Sequence, residues 1–71
     1  MSKMVKIYES GEFRKVEEGK INNWFNGDIN WNTVDYVELM GDRAFVKYKD
    51  GNELIYKEQN NGLYAFPIRI K

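Results

Sequence analysis

The chain contains no cysteine and no histidine. That removes disulfide staples, thiolate chemistry, the usual zinc sites and every catalytic triad or dyad that runs through imidazole. Charge of one sign is not in excess either: Lys plus Arg is 11 and Asp plus Glu is 11, a formal net charge of zero. The broad positive field that non-specific binding to long nucleic acid or anionic membrane needs is therefore missing, although a local basic patch is compatible with neutrality. No apolar run approaches the roughly 20 residues that span a bilayer, and Met1 to Met4 do not lead a charged segment into an apolar one. These absences predict a cytoplasmic protein with no membrane partner, no cofactor and no metal. A catalyst would have to be built from carboxylate, Lys, Tyr, Ser and Thr, and nothing in the spacing sets one carboxylate as acid and another as base. Asp35 and Glu38, the acidic residues on strands near aromatic neighbours, read as solvated side chains, and an enzyme is not expected.

What is present is apolar and aromatic material. In 71 residues, 42% are hydrophobic and 15% aromatic, against a mean hydropathy of -0.70. This is enough for one folded domain and too short for two. A core of this size leaves about 3 to 5 kcal/mol of net stability. With neither disulfide nor metal to reinforce it, self-association as a homo-oligomer is expected.

Turn chemistry organises the chain. Asp50-Gly51 and Asn61-Gly62 are dipeptides that accept the positive φ of hairpin turns, and Ser10-Gly11 and Gly41-Asp42 mark two more tight connections. The flanking stretches 4–9, 12–16, 34–40, 43–49, 53–58 and 63–70 are rich in β-branched and aromatic residues. They predict a mainly β fold: an antiparallel meander of about six strands, able to curl into a partly open barrel. Between the second and third strands, Ile21, Trp24 and Phe25 fall at i, i+3 and i+4, which predicts one short helix near residues 18 to 26, stopped at Gly27. Asp28 to Thr33 reads as a loop.

If each turn holds two residues, Tyr8 faces Phe13, Val5 faces Val16, Leu39 faces Ala44 and Val37 faces Val46. Ile55 and Ile68 then join the core face with Tyr48, Phe66 and Ile70, beneath Ile21, Trp24 and Phe25. The other face carries Tyr36, Met40, Phe45, Leu54 and Tyr56 among Glu38, Arg43, Lys47 and Arg69. That is too apolar for plain surface and predicts a barrel wall, a subunit interface or a ligand platform.

The segment from Asn22 to Thr33 holds both tryptophans and five of the eight asparagines. Asparagine amides pair with base edges and indoles or phenols stack on them, so the segment suits a planar ligand. The alternative is that the asparagines shape turns while Trp24 and Phe25 fill the core. Trp31, in a loop without apolar periodicity, and Tyr36 are the candidate stacking residues. Asn30, Asn32 and Thr33 are candidates for hydrogen bonds to base or sugar, and Arg43 and Arg69 for phosphate through their forked donors.

Residues 34–51, Val-Asp-Tyr-Val-Glu-Leu-Met-Gly-Asp-Arg-Ala-Phe-Val-Lys-Tyr-Lys-Asp-Gly, resemble the opening hairpins of LytTR-type DNA-binding domains over a quarter of the chain. Those domains continue with a further helix and a histidine-bearing motif that have no counterpart here, and no DNA contact is carried over. In length, in Lys, Asn, Ile and Tyr usage and in its cysteine-free, aromatic β character, the chain also resembles small bacteriophage-encoded inhibitors of host defence. No motif carries that likeness. It implies an oligomeric sponge that sequesters a small nucleotide, such as a cyclic nucleotide immune signal, in the host cytoplasm. Two further readings stand beside it: an inhibitor that binds a host protein through an aromatic β face, and a small β-barrel adaptor for nucleic acid. Zero net charge weighs against long nucleic acid.

Overall fold

A computed structural model describes residues 3–25, 29–59 and 63–69, with the side chains of 65–69 left aside. Six strands form one sheet: β1 (Met4–Glu9), β2 (Glu12–Glu17), β3 (Val34–Met40), β4 (Arg43–Tyr48), β5 (Glu53–Glu58) and β6 (Tyr64–Arg69). Their spatial order is β2-β1-β3-β4-β5-β6. One helix, α1 (Glu18–Asn22), and a 3-10 turn at Trp31–Thr33 lie in the connection between β2 and β3. No helix among the described residues is long and apolar enough to cross a membrane.

The β1–β2 hairpin turns at Ser10 (φ 55) and Gly11 (φ 82), and β3–β4 turns at Gly41 (φ 62). Positive φ at these central residues matches the turn to the twist of the strands. The resulting registers set Tyr8 opposite Phe13, Val5 opposite Val16, Leu39 opposite Ala44 and Val37 opposite Val46, as the turn reading predicts.

The sheet is mixed, however, and the all-antiparallel meander is corrected at one joint. β1 and β3 run parallel, with Ile7 beside Val37, Tyr8 beside Glu38 and Glu9 beside Leu39. A parallel neighbour requires a long crossover, and the stretch from α1 to the 3-10 turn supplies it. Turn chemistry specifies consecutive strands only, so it was silent on which edge receives β3. Nor does the sheet close into a barrel. Its edges are β2 and β6, and the crossover rather than a strand reaches β6: Phe25 bridges Tyr64, whose N–H donates to the Trp24 carbonyl at 2.6 Å. At its other end the crossover is tied by the Glu18 N–H to the Lys3 carbonyl at 2.7 Å.

A second correction concerns β5. The Tyr48 N–H donates to the Asn52 carbonyl at 2.8 Å and Gly51, at φ 94, donates its N–H to the Tyr48 carbonyl at 3.1 Å. The loop thus holds three residues, Lys49 to Gly51, and the odd count inverts every side chain beyond it. Ala44 faces Tyr56, Val46 faces Leu54 and Phe45 faces Ile55. Leu54 and Tyr56 therefore belong to the core face, and Ile55, buried as expected at 6% exposure, to the opposite one. A register shift between Ile55 and Lys57 follows on the β6 side, where Pro67 lies in the edge strand; an edge tolerates a residue without an N–H.

The core joins Val5, Ile7, Val16, Val34, Val37, Ala44, Val46, Tyr56 and Tyr64 of the sheet to Ile21, Phe25, Ile29 and Trp31 of the crossover. A bulge between Val34 and Tyr36 allows both Val34 and Val37 to point inward. The helix is shorter than the predicted 18 to 26: it spans five residues, continues as a turn through Trp24, and leaves Trp24 only partly buried. Phe25 reaches the core from extended backbone, not from a helix face. Gly27, Asp28, the Asn61-Gly62 turn and Ile70 lie outside the described residues, as do the side chains of Phe66 and Ile68.

Candidate functional site: the uncovered sheet face

Because the crossover covers one face, every second strand residue projects to the other, where no described helix or loop packs. The registers order these residues into two rows. Phe13, Tyr8, Glu38, Phe45 and Ile55 are successive partners across five strands. Alongside run Lys15 paired with Lys6, then Tyr36 paired with Lys47, then Glu53. Extending the parallel register back one residue from Ile7 and Val37 sets Lys6 beside Tyr36. A mainly aromatic row, interrupted by Glu38 and ending at the buried Ile55, thus lies next to a row rich in lysine.

Side-chain contacts connect the rows. The rings of Tyr8 and Phe13 have centroids 4.7 Å apart and tilted by 53°, and Phe13 meets Tyr36 edge-on at 5.7 Å. The Lys6 ammonium lies 5.4 Å from the Phe13 centroid and that of Lys47 lies 5.6 Å from the Tyr36 centroid, both within cation–π range. Phe13 is 57% exposed despite these contacts, and so is Met40 farther along the face. A shallow groove of about 370 Å³ borders the aromatic row, between the Ser10-Gly11 and Gly41 turns, with Tyr8, Glu38 and Met40 in its lining.

The two ends of the lysine row differ in charge. Lys47 lies 3.7 Å from the Glu38 carboxylate and 3.8 Å from that of Glu53. Burial lowers its pKa, but the Tyr36 phenol and the two glutamates outweigh burial and hold it above the ordinary value. Lys6 and Lys15 face each other directly, and no ion pair among the described residues includes either.

Of the residues expected to bind a ligand, Tyr36 and Arg43 belong to strands and direct their side chains toward this face. Arg43 is exposed at the start of β4 with Asp42 at 4.0 Å, and its cross-strand partners are Met40 and Lys57. Trp31 is corrected: it is 4% exposed, packs edge-on against Phe25 with centroids 5.7 Å apart, and donates its indole N–H to Asn22 Oδ1 at 3.0 Å. It is a core residue on the covered side, separated from Tyr36 by the sheet. Asn30, Asn32 and Thr33 are exposed there, shaping the 3-10 turn. Asn30 Oδ1 accepts the Asn32 N–H at 3.2 Å, the Thr33 hydroxyl donates to the Asn30 carbonyl at 2.8 Å, and Lys3 donates to Asn32 Oδ1. The Arg69 backbone pairs with Leu54 in β6, and its side chain lies outside the described residues.

Sequence reasoning missed Phe13, Tyr8, Lys6 and Lys15 as site residues. Their hairpin was legible, but only the parallel docking of β1 on β3 brings it beside Tyr36. Comparison with known proteins yields no match among protein-family models, curated proteins or solved structures.

Proposed function

We propose that this protein is a non-enzymatic binding module that takes a nucleotide by stacking its base on the uncovered sheet face. The observation that carries the reading is the joined cluster of Tyr8, Phe13 and Tyr36, with Phe13 more than half exposed and lysine ammoniums beside two of the rings. Aromatic side chains on an open sheet are a surface on which bases stack, each worth about 1 to 3 kcal/mol. Glu38 and Glu53 are both engaged by Lys47, which suits holding a ligand unchanged: sequestration rather than turnover. The site differs from the one expected around Trp31, while the class of ligand is retained.

Binding is tested by isothermal calorimetry with a nucleotide panel that includes cyclic dinucleotides, followed by chromatography of the heat-released ligand. Intact ligand and a loss of about tenfold or more in affinity on Phe13→Ala are expected, since a single stacking contact of 1.4 kcal/mol corresponds to tenfold. No heat of binding across the panel, or recovery of a hydrolysed product, contradicts the reading.

One observation favours a second occupant of the same face. Phe13 and Met40, each 57% exposed, leave apolar surface that a second copy of the chain or a partner protein would cover. Self-association by this route predicts a sedimentation coefficient that rises with concentration and falls on Phe45→Glu.

A further inference from the structure

Lys6 and Lys15 are direct cross-strand partners on the uncovered face, so their Cβ atoms are separated by about 4.5 to 5.5 Å. Like charges so placed repel; Arg43 and Lys57 are also opposed on this face, but there Asp42 lies 4.0 Å from the guanidinium. Four ion pairs are formed among the described residues, and none relieves the repulsion between Lys6 and Lys15. Arg14, the remaining cation of β2, alternates to the other face and is bound to Glu9 at 3.0 Å. The unrelieved pair therefore lies at the Phe13 end of the aromatic row, with the Lys6 ammonium 5.4 Å from that ring.

We infer that Lys6 and Lys15 form the phosphate subsite of the stacking face, and that the ligand is a short stretch of single-stranded nucleic acid rather than a free mononucleotide. This rests on the stacking reading above and narrows it. A base on the Phe13–Tyr8 pair covers one end of the row; Phe45 lies two strands beyond Tyr8, about 10 Å at the usual strand spacing. A second base is needed to reach it. Among the described residues the face is also open at its Phe13 end, where that ring is 57% exposed, whereas a mononucleotide gains its affinity from enclosure in a pocket. An open platform instead suits a chain that stacks repeatedly and continues past the β2 edge, about two or three bases on one sheet. Charge agrees with a short ligand, because the two lysines of this pair match about two phosphates and a net charge of zero supplies no broad positive field for more.

The test uses the full chain, a fluorescein-labelled RNA hexamer of adenylate read by anisotropy, and adenosine monophosphate as unlabelled competitor. The hexamer is expected to bind with a log–log salt slope near about -1.4, the value for two phosphates on a single strand. Adenosine monophosphate should compete at least tenfold more weakly. Lys15→Glu is expected to abolish hexamer binding while raising the thermal midpoint, because a glutamate opposite Lys6 replaces repulsion by attraction; a folding defect would lower that midpoint. Phe13→Ala should weaken binding with the slope retained. Equal competition by the mononucleotide, or a Lys15→Glu variant that binds with unchanged slope, overturns this inference and leaves stacking intact. Absence of binding to both ligands overturns both.

Discussion

Trp31 has an environment that its local sequence gives no reason to expect. Its neighbours Asn30, Asn32 and Thr33 are exposed and serve a 3-10 turn, yet the ring between them packs in the core against Phe25 and hands its N–H to Asn22. Burying an indole this way requires the N–H to be satisfied. Replacing Asn22 by Ala is therefore expected to cost about 1 to 3 kcal/mol in chemical denaturation, since it leaves a buried donor without a partner. Trp31→Ala should leave the chain largely unfolded, because large-to-small core changes of this kind cost about 3 to 5 kcal/mol and a core of this size holds little more. A Trp31→Ala variant with near-native stability would contradict the placement. The two core phenols Tyr56 and Tyr64, with the partly buried Tyr48 packed against the core, give a second expectation at this scale. Burial pushes the pKa values of Tyr48, Tyr56 and Tyr64 above the usual 10.0, with carboxylates or a neighbouring phenol adding to it. A pKa raised on folding means the neutral form is favoured in the native state. Its stability contribution is complete below the unfolded value and is lost as pH rises through the folded one. Unfolding free energy should accordingly fall above pH 10.0 as these phenols ionise, and Tyr56→Phe should flatten that fall. The same alkaline slope in wild type and variant would count against the burial of Tyr56.

Loop parity decides what each strand presents. The two-residue turns at Ser10-Gly11 and Gly41-Asp42 were readable because Gly at positive φ is a local requirement, and the partners they dictate, Tyr8 with Phe13 and Val37 with Val46, are those observed. Asp50-Gly51 carries the same dipeptide signal but forms a three-residue loop. There the Asp50 carboxylate accepts from the Asn52 backbone at 2.9 Å and from its amide at 3.0 Å. One extra residue exchanges Ile55 for Leu54 and Tyr56, an outcome that alternation within β5 does not reveal, since Leu54, Ile55 and Tyr56 are all apolar enough for either face. The helix was legible as an element but not in length, because Phe25 is drawn to the Tyr64 edge by a strand-like bridge. The candidate site was legible in kind, as an aromatic and basic sheet face, and in two of its ring positions, Tyr36 and Phe45. Its other members became visible only with the parallel β1–β3 joint, which is a long-range choice and leaves no mark in turn residues.

At the scale of the molecule, the crossover packs on one face of the sheet, and the other face presents rings and charges among the described residues. Oligomer formation across that face and nucleotide stacking on it make opposite demands on Phe45. Sedimentation of wild type and Phe45→Glu at micromolar concentration separates them: a second copy on the face gives an assembly that the glutamate splits, because an unpaired buried carboxylate is costly. A stacking platform gives 8.5 kDa for both. The most direct test of the stacking account is chemical-shift mapping of the labelled protein as the adenylate hexamer is added. The account predicts saturable shifts in the ring resonances of Tyr8, Phe13 and Tyr36 and in the side chains of Lys6 and Lys15, with the Trp31 indole N–H unmoved in its bond to Asn22. Shifts confined to Trp31, Asn30 and Asn32, or none on the uncovered face at saturating hexamer, would contradict it.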